Sequence, residues 1–132
     1  MHTPFIFFGT PDTASRTLEL LKQSGYLPAH IVTNPDKPVG RKQLMTASPV
    51  KDWAIENSIP YITPEKITPE IVDQLRTITQ ELSVKVFLVV SYGKILPQAL
   101  IDIPENGTYT INYSMLPKYR GATPAESAIL HG

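Results

Sequence analysis

Four short runs of the chain are largely apolar and lack the strict alternation of a half-buried strand. Strands of this kind are covered on both faces, as the strands of parallel sheets usually are. A fifth run has weaker apolar character. The predicted strands are Phe5–Phe8, Ile31–Thr33, Tyr61–Thr63 and Val84–Val90, with the weaker one at Thr108–Tyr113.

Helical patterns lie between these runs. Ala14, Leu18 and Leu21 recur at helical spacing ahead of Gly25, a residue that suits a helix C-cap. The same spacing links Ile71, Val72, Leu75 and Ile78. Three Ser/Thr-Pro pairs predict helix starts, because a hydroxyl caps the first turn and proline tolerates its unpaired position there. These pairs are Ser48-Pro49, Thr68-Pro69 and Thr123-Pro124, and the last helix is expected to reach Leu130 or His131.

The alternation of strand and helix predicts an α/β fold with an open, mainly parallel sheet and helices on both faces. No internal repeat or domain boundary interrupts the pattern in residues 1–132, so we expect one domain. The last predicted helix has barely begun when the sequence stops at Gly132. We therefore expect the sheet to be incomplete and the chain to be the N-terminal part of a larger domain.

Composition narrows the possible functions. Twelve Lys and Arg balance twelve Asp and Glu, which argues against a wholly basic nucleic-acid binder. The chain has no cysteine, and its three histidines are scattered, so we expect no metal site. It shows no signal peptide and no long apolar span, so we expect a cytoplasmic protein without a membrane partner. The 13 prolines fall mainly at helix starts and in loops, which favours order over disorder.

Ligands of open parallel sheets gather at the carboxyl ends of the strands, so the loops there carry the candidate chemistry. The first loop, Gly9 to Asp12, is either a turn with Asp12 as helix N-cap or a ligand loop. Its single glycine does not fit a dinucleotide-binding loop. The 14-residue segment from Asn34 to Ala47 carries three basic residues against one acidic residue, in a chain of zero net charge. By itself this surplus is typical of a solvated surface loop.

Two further loops are apolar. Residues 91–97 follow the most apolar strand, with Gly93 for flexibility and Tyr92 as a candidate aromatic lid, and residues 114–122 follow the fifth strand. Neighbouring apolar loops with free backbone amides suit a flat heteroaromatic ligand. Packing of Ile95, Leu96, Met115 and Leu116 into the core is the equally weighted alternative.

Five motifs, in this order, resemble those of the methionyl-tRNA formyltransferases. The motifs are Gly9-Thr10-Pro11-Asp12, Asn34-Pro35-Asp36-Lys37-Pro38-Val39-Gly40-Arg41, Ser48-Pro49-Val50-Lys51, Tyr92-Gly93-Lys94-Ile95-Leu96-Pro97 and Ser114-Met115-Leu116-Pro117-Lys118-Tyr119-Arg120-Gly121-Ala122. The resemblance implies a Rossmann-like formyltransferase domain that moves a formyl group from 10-formyltetrahydrofolate to the amino group of initiator methionyl-tRNA, without a metal.

The resemblance also implies roles for particular residues. Folate would lie between two loops and contact Tyr92, Gly93, Ile95, Leu96, Ser114, Met115, Leu116 and Pro117. The tRNA would be met by Lys37, Arg41 and Lys42, whose contacts with phosphates weaken as salt increases.

The catalytic positions depart from the family pattern. The family places an Asn and, two residues later, a His on one strand face, with an Asp from a later segment. Counted back without a gap, these two positions are Thr110 and Asn112, and a shift of two residues puts Asn112 on the Asn and leaves no His. Neither Thr nor Asn titrates near neutral pH. We therefore expect negligible formyl transfer by this chain.

Two other functions remain open at this point. One is a sugar N-formyltransferase domain, which differs from the tRNA-modifying branch only in its acceptor-binding residues. The other is a non-catalytic module that binds folate or RNA on the same fold, which Thr110 and Asn112 favour. The oligomeric state cannot be predicted from the sequence.

Overall fold

The computed structural model describes residues 3–111 and 130–131. Strands and helices alternate through most of this range, as the sequence predicts. The strands are β1 (Phe5–Gly9), β2 (His30–Val32), β3 (Lys37–Val39), β4 (Leu44–Thr46), β5 (Tyr61–Ile62), β6 (Val86–Val90), β7 (Thr108–Ile111) and β8 (Leu130–His131). The helices are α1 (Asp12–Gln23), α2 (Pro49–Glu56), α3 (Pro69–Glu81) and α4 (Gln98–Ile101).

The main sheet has the order β5-β2-β1-β6-β7-β8. Every pairing from β5 to β7 is parallel, and β8 pairs with β7 in the antiparallel direction. The predicted parallel sheet with helices on both faces is therefore confirmed. Because β1, β2, β6 and β7 are parallel, the loops that follow them open at the same edge of the sheet.

Two apolar clusters cover the two faces of the sheet. On one face Phe8, Phe87 and Val89 pack against α3 and α4 through Leu75 and Leu100. The opposite cluster joins the sheet to α1 and α2, with Phe7, Val90, Leu18, Val50 and Trp53 among its members. Burial on both faces explains why the strands are apolar without alternation.

The helix starts are mostly as predicted. The Ser48 hydroxyl accepts a hydrogen bond from the Lys51 N–H, and the Thr68 hydroxyl accepts one from the Ile71 N–H. Of the two alternatives for Gly9 to Asp12, the one with Asp12 as helix N-cap is wrong, because Pro11 is the N-cap of α1. Asp12 is the first helical residue, and its carboxylate pairs with Arg16 at 2.7 Å instead of capping.

Helix ends explain one shifted strand. At the end of α3 the Val84 N–H donates to the Thr79 carbonyl, and Ser83 adopts a φ of +52°. Val84 therefore closes the helix and cannot begin the strand, so β6 starts two residues later than predicted. Gly25 follows the C-cap Ser24 of α1 with a φ of +93°, close to its predicted place.

The segment from Asn34 to Ala47 is more ordered than the sequence suggests. It contains an antiparallel hairpin, β3 and β4, in which Lys37 faces Thr46 and Val39 faces Leu44. Its apolar side chains are exposed, so hydrophobic burial does not form it. The tip turns through Gly40, with a φ of +75°, and Gln43, whose backbone and side chain both donate to the Gly40 carbonyl.

The predicted end of the last helix is wrong. Leu130 and His131 pair with Tyr109 and Thr108 as a short strand, which occupies the open edge of β7 and satisfies backbone groups there. The predicted helix start at Thr123-Pro124 lies outside the described residues.

Candidate functional site

Three loops meet at the carboxyl edge of the sheet, and the carbonyl oxygen of Tyr92 joins them. The Thr10 hydroxyl, after β1, donates to this oxygen at 2.9 Å. The Asn34 side-chain amide, after β2, donates to it at 2.8 Å. The loop after β6, residues 91–97 and here called the β6–α4 loop, is therefore tied to both neighbouring loops. A carbonyl oxygen has two lone pairs, and both are used.

The β6–α4 loop turns sharply. Ser91 has a φ of +53° and Gly93 a φ of +92°. A Cβ at Gly93 would lie 3.3 Å from Asn34 Nδ2, so the close approach of Asn34 also favours glycine there. The backbone conformation and the two hydrogen bonds thus fix the same short stretch.

Tyr92 is not an aromatic lid. Its side chain is only 2% exposed, and its ring meets the Phe8 ring edge-on at 5.7 Å between centroids. Burial raises the pKa of Tyr92 to about 12, and its hydroxyl has no hydrogen-bond partner among the described residues. The ring therefore anchors the loop to the core, and its hydroxyl does not release a proton near neutral pH.

Beyond Tyr92 the loop turns outward. Ile95 is 94% exposed, whereas Leu96 packs against the core cluster of the α3 face. Of the two described residues whose packing was open, Leu96 thus lies against the core and Ile95 does not. The Ile95 side chain is therefore available at the surface for an apolar contact.

A cavity of about 510 Å³, here called the β6–β7 cavity, lies between this loop and the end of β7. The described residues that line it bring together several candidates from the sequence: Tyr92, Gly93 and Ile95 with Thr110, beside Val89, Ser91, Lys94 and Ile111. Asn112, Ser114, Met115, Leu116 and Pro117 lie outside the described residues. Ionisable groups among the described lining residues are Tyr92 and Lys94.

Thr110 pairs with Val89 in the register of β6 and β7. It therefore shares the α3 face with Val89 and lies at the mouth of the cavity. A hydroxyl there can donate one hydrogen bond to a ligand oxygen, but it cannot take up a proton near neutral pH.

A second cavity of about 690 Å³, here called the hairpin cavity, lies under β3 and β4. Its lining includes Thr10 and Asn34 from the first two loops, Val39 and Thr46 from the hairpin, and Lys94. Lys94 lines both cavities, so the two adjoin at the β6–α4 loop.

An ion pair fixes the base of the hairpin. Lys51 Nζ on α2 lies 2.8 Å from Asp36 Oδ1 and 5.9 Å from the centroid of the Tyr61 ring. The hydrogen bond to Asp36 raises the pKa of Lys51. Asp36 is thus neutralised by a residue outside the hairpin.

The other charges of the hairpin are basic. Lys37, Arg41 and Lys42 are exposed, and none of the salt bridges found in the described part of the chain includes them. Because Lys51, which lies outside the hairpin, neutralises Asp36, the segment keeps three positive charges that no acidic residue of its own offsets. The hairpin presents three cations together with the exposed apolar residues Leu44 and Met45, and of these five residues Lys37 lines the hairpin cavity.

Comparison with known proteins assigns the family. The sequence profile of the Formyl transferase family matches residues 1–132. The chain belongs to this family. The resemblance in the five motifs is therefore confirmed, and the two cavities lie at the edge of a formyl transferase sheet.

Curated relatives of this formyl transferase chain carry the name methionyl-tRNA formyltransferase. The protein from Acetivibrio thermocellus is 44% identical over 128 residues, which are 96% of this chain and 40% of that protein. The one from Sulfurihydrogenibium is 42% identical over 129 residues, again 96% of this chain and 40% of the relative. The chain thus spans about 40% of the length of these relatives.

Solved structures support the fold alone. Glycinamide ribonucleotide transformylase 1 from Geobacillus kaustophilus gives a TM-score of 0.64 at 13% identity, covering 92% of this chain and 63% of the other. Phosphoribosylglycinamide formyltransferase from Streptococcus pneumoniae gives 0.60 at 16% identity, covering 96% and 66%.

Sequence reasoning missed Thr10 and Asn34 as parts of the site. Both appear in motifs of the formyl transferase pattern, but as turn residues rather than as hydrogen-bond donors. Their signal was positional, since Thr10 directly follows β1 and Asn34 directly follows the predicted strand Ile31–Thr33. No helix in the described ranges is long and apolar enough to cross a membrane. The described ranges also hold no group of three or more His, Cys, Asp or Glu residues that could bind a metal ion.

Proposed function

We propose that this chain carries the donor and acceptor sites of a cytoplasmic methionyl-tRNA formyltransferase of translation initiation. The donor is 10-formyltetrahydrofolate, and the acceptor is the amino group of initiator methionyl-tRNA. The observation that carries the proposal is the 44% identity, over 96% of the chain, to a protein named for this reaction. We further propose that the chain itself has negligible turnover.

The donor site is the β6–β7 cavity. The exposed Ile95, the apolar lining by Val89 and Ile111 and the open backbone at Gly93 suit one face of a flat pterin ring. The cavity volume of about 510 Å³ is in the range of small-molecule sites. Ser114 to Pro117 are proposed to cover the other face of the ring.

The acceptor site is the hairpin cavity with the basic hairpin above it. Val39 and the neighbouring prolines give the lining apolar surface that suits a thioether side chain. Lys37, Arg41 and Lys42 are exposed on the hairpin, and they are proposed to meet phosphates of the acceptor end. Such contacts add affinity that does not depend on the RNA sequence and weakens with salt.

Low turnover follows from the chemistry of the transfer. The amino group attacks the formyl carbon, the formyl oxygen becomes an oxyanion, and the attacking nitrogen must lose a proton. Thr110 and Asn112 can donate hydrogen bonds to the oxygen, but neither can accept that proton near neutral pH. Loss of a single oxyanion donor costs about 100- to 1,000-fold in other enzymes. Loss of the proton acceptor adds to this.

A direct test mixes the chain with 10-formyltetrahydrofolate and methionyl-tRNA and measures folate binding by calorimetry and formyl-methionyl-tRNA by acid-gel electrophoresis. We expect folate binding together with a transfer rate at least about 1,000-fold below that of an intact relative assayed in parallel. A rate within tenfold of that relative would contradict the low turnover. Absence of folate binding would contradict the proposed function itself.

The acceptor assignment is tested with a charge-matched pair of double variants. Arg41→Ala with Lys42→Ala should weaken tRNA binding for all RNA sequences and lower the slope of log K against log salt by about 2. Lys22→Ala with Lys85→Ala removes the same charge at the opposite edge of the sheet and should leave the slope unchanged. Equal effects of the two pairs would remove the tRNA role from the hairpin.

A non-catalytic module that binds folate and RNA is the second candidate. It is favoured by Thr110, which provides a hydroxyl where the ungapped motif comparison expects an Asn. Binding of both ligands with no transfer, even on prolonged incubation, supports this module. Stabilisation by a nucleotide sugar and not by tRNA in a thermal shift would point instead to a sugar N-formyltransferase domain.

A further inference from the structure

Two side-chain hydrogen bonds meet at the backbone carbonyl of Tyr92. Thr10 and Asn34 come from two different loops, 82 and 58 residues away in sequence, and both donate to it at 2.9 and 2.8 Å. Neither hydrogen bond belongs to the regular pairing of the sheet. Both therefore serve the conformation of one loop.

That loop needs external support. Ser91 is a non-glycine residue with a φ of +53°, a conformation that persists only where surrounding contacts over-determine it. The contacts are the two hydrogen bonds above it and the Tyr92 ring packed on Phe8 below it. Without the hydrogen bonds, only the packing of the Tyr92 ring and of Leu96 against the core would hold the loop.

The supported loop is also the wall between the two cavities. Thr10 and Asn34 line the hairpin cavity, whereas Tyr92 and Gly93 line the β6–β7 cavity. The two hydrogen bonds thus connect residues that line different cavities. They fix the position of Ile95 relative to the hairpin.

We propose that Thr10 and Asn34 are positioning residues, which hold the β6–α4 loop in the conformation that presents Ile95 and the Gly93 backbone to the ligand of the β6–β7 cavity. The identity of that ligand, a reduced folate, rests on the proposed function. The positioning of the loop rests on the contacts alone.

The test compares variants that differ in a single hydrogen-bond donor. Thr10→Val keeps the shape and removes the hydroxyl, whereas Thr10→Ser keeps the hydroxyl. Asn34→Asp keeps the shape, replaces the amide donor by a second oxygen and adds a negative charge. Two readouts are used on the whole chain: calorimetric affinity for 5-formyltetrahydrofolate, a stable reduced folate, and hydrogen exchange of the amides in residues 91–97.

We expect Thr10→Val to weaken folate binding about five- to tenfold and to speed exchange in the loop by a similar factor, as loss of one hydrogen bond does. Asn34→Asp should have at least as large an effect in both readouts, because its carboxylate also repels the Tyr92 carbonyl oxygen. Thr10→Ser should stay within about twofold of wild type in both readouts. Exchange in α3 should not change in any variant, which separates a local effect from general loss of stability.

The proposal is overturned if Thr10→Val and Asn34→Asp match wild type in both readouts, or if Thr10→Ser is as impaired as Thr10→Val. Faster loop exchange in the two donor-removing variants, in a chain that binds no reduced folate, would support the positioning and contradict the proposed function. Folding of each variant is checked by the fluorescence of Trp53, and Asn34→Asp decides the question if Thr10→Val does not fold.

Discussion

Gly9 offers the sharpest test of the packing at the carboxyl edge. It ends β1 opposite Val90 and leads directly into Thr10. A Cβ placed on Gly9 would lie 2.6 Å from Phe7 Cε1, 2.7 Å from the Val90 carbonyl oxygen and 2.8 Å from Ala14 Cβ. All three distances are shorter than real contacts allow. The Val90 oxygen is backbone, and Phe7 and Ala14 are fully buried, so none can move freely.

We expect Gly9→Ala to destabilise the fold by about 3 kcal/mol, at the upper end of the range for overpacked cores. Gly40→Ala is the matched control. Gly40 has a φ of +75° and nothing within 4 Å of its would-be Cβ, so alanine there meets strain without a clash. That strain is about 1 kcal/mol.

Urea denaturation followed by the fluorescence of Trp53, the only tryptophan, measures both variants. With a urea m-value of about 1.5 kcal/mol/M, the midpoint should fall by about 2 M for Gly9→Ala and by about 0.7 M for Gly40→Ala. A Gly9→Ala midpoint within about 0.3 M of wild type, or above that of Gly40→Ala, would refute the steric argument.

Three further outcomes follow from other parts of the structure. Ser58 and Ser83 follow the C-caps of α2 and α3 with φ of +57° and +52°, so changing either to Gly should raise the free energy of unfolding by about 0.5–1 kcal/mol in the same urea assay. Burial lowers the pKa of His30 from its usual 6.5, so the unfolded chain binds more protons than the folded chain below about pH 6.5, and the free energy of unfolding should fall as the pH drops from 7 to 5.5. His30→Gln should flatten that part of the pH profile, and an unchanged slope would contradict the role of His30. Lys51→Met breaks the bond to Asp36, so limited trypsin digestion should cut the hairpin faster than in wild type while the rest of the chain resists; equal cutting rates would show that the ion pair does not fix the hairpin.

Local signals in the sequence were enough for the five parallel strands of the sheet and for two helix starts. Ser48 and Thr68 cap their helices through contacts that span three residues, so sequence spacing alone identifies them. The hairpin was missed because the contact that ties its base to α2 joins Asp36 and Lys51, which are 15 residues apart and on different elements. Its own residues are exposed and include Pro38 and Gly40, which weaken any strand pattern.

The reversal of Tyr92 and Ile95 shows why the site itself resisted prediction. Along β6, side chains alternate between the two faces, with Val89 in the cluster on the α3 face and Val90 in the opposite one. Continued alternation would put Tyr92 on the face of Val90. The positive φ of Ser91 breaks the alternation, and Tyr92 enters the cluster of Val89 instead.

A sequence pattern signals that kind of turn mainly through glycine, because other residues rarely adopt a positive φ. At Ser91 the conformation is imposed from outside, by donors from the loops after β1 and β2. The residues that shape the β6–α4 loop are thus far from it in sequence. This is the physical reason that the motif Tyr92-Gly93-Lys94-Ile95 identifies the loop but does not reveal that Ile95, and not the aromatic ring, is the exposed side chain beside the cavity.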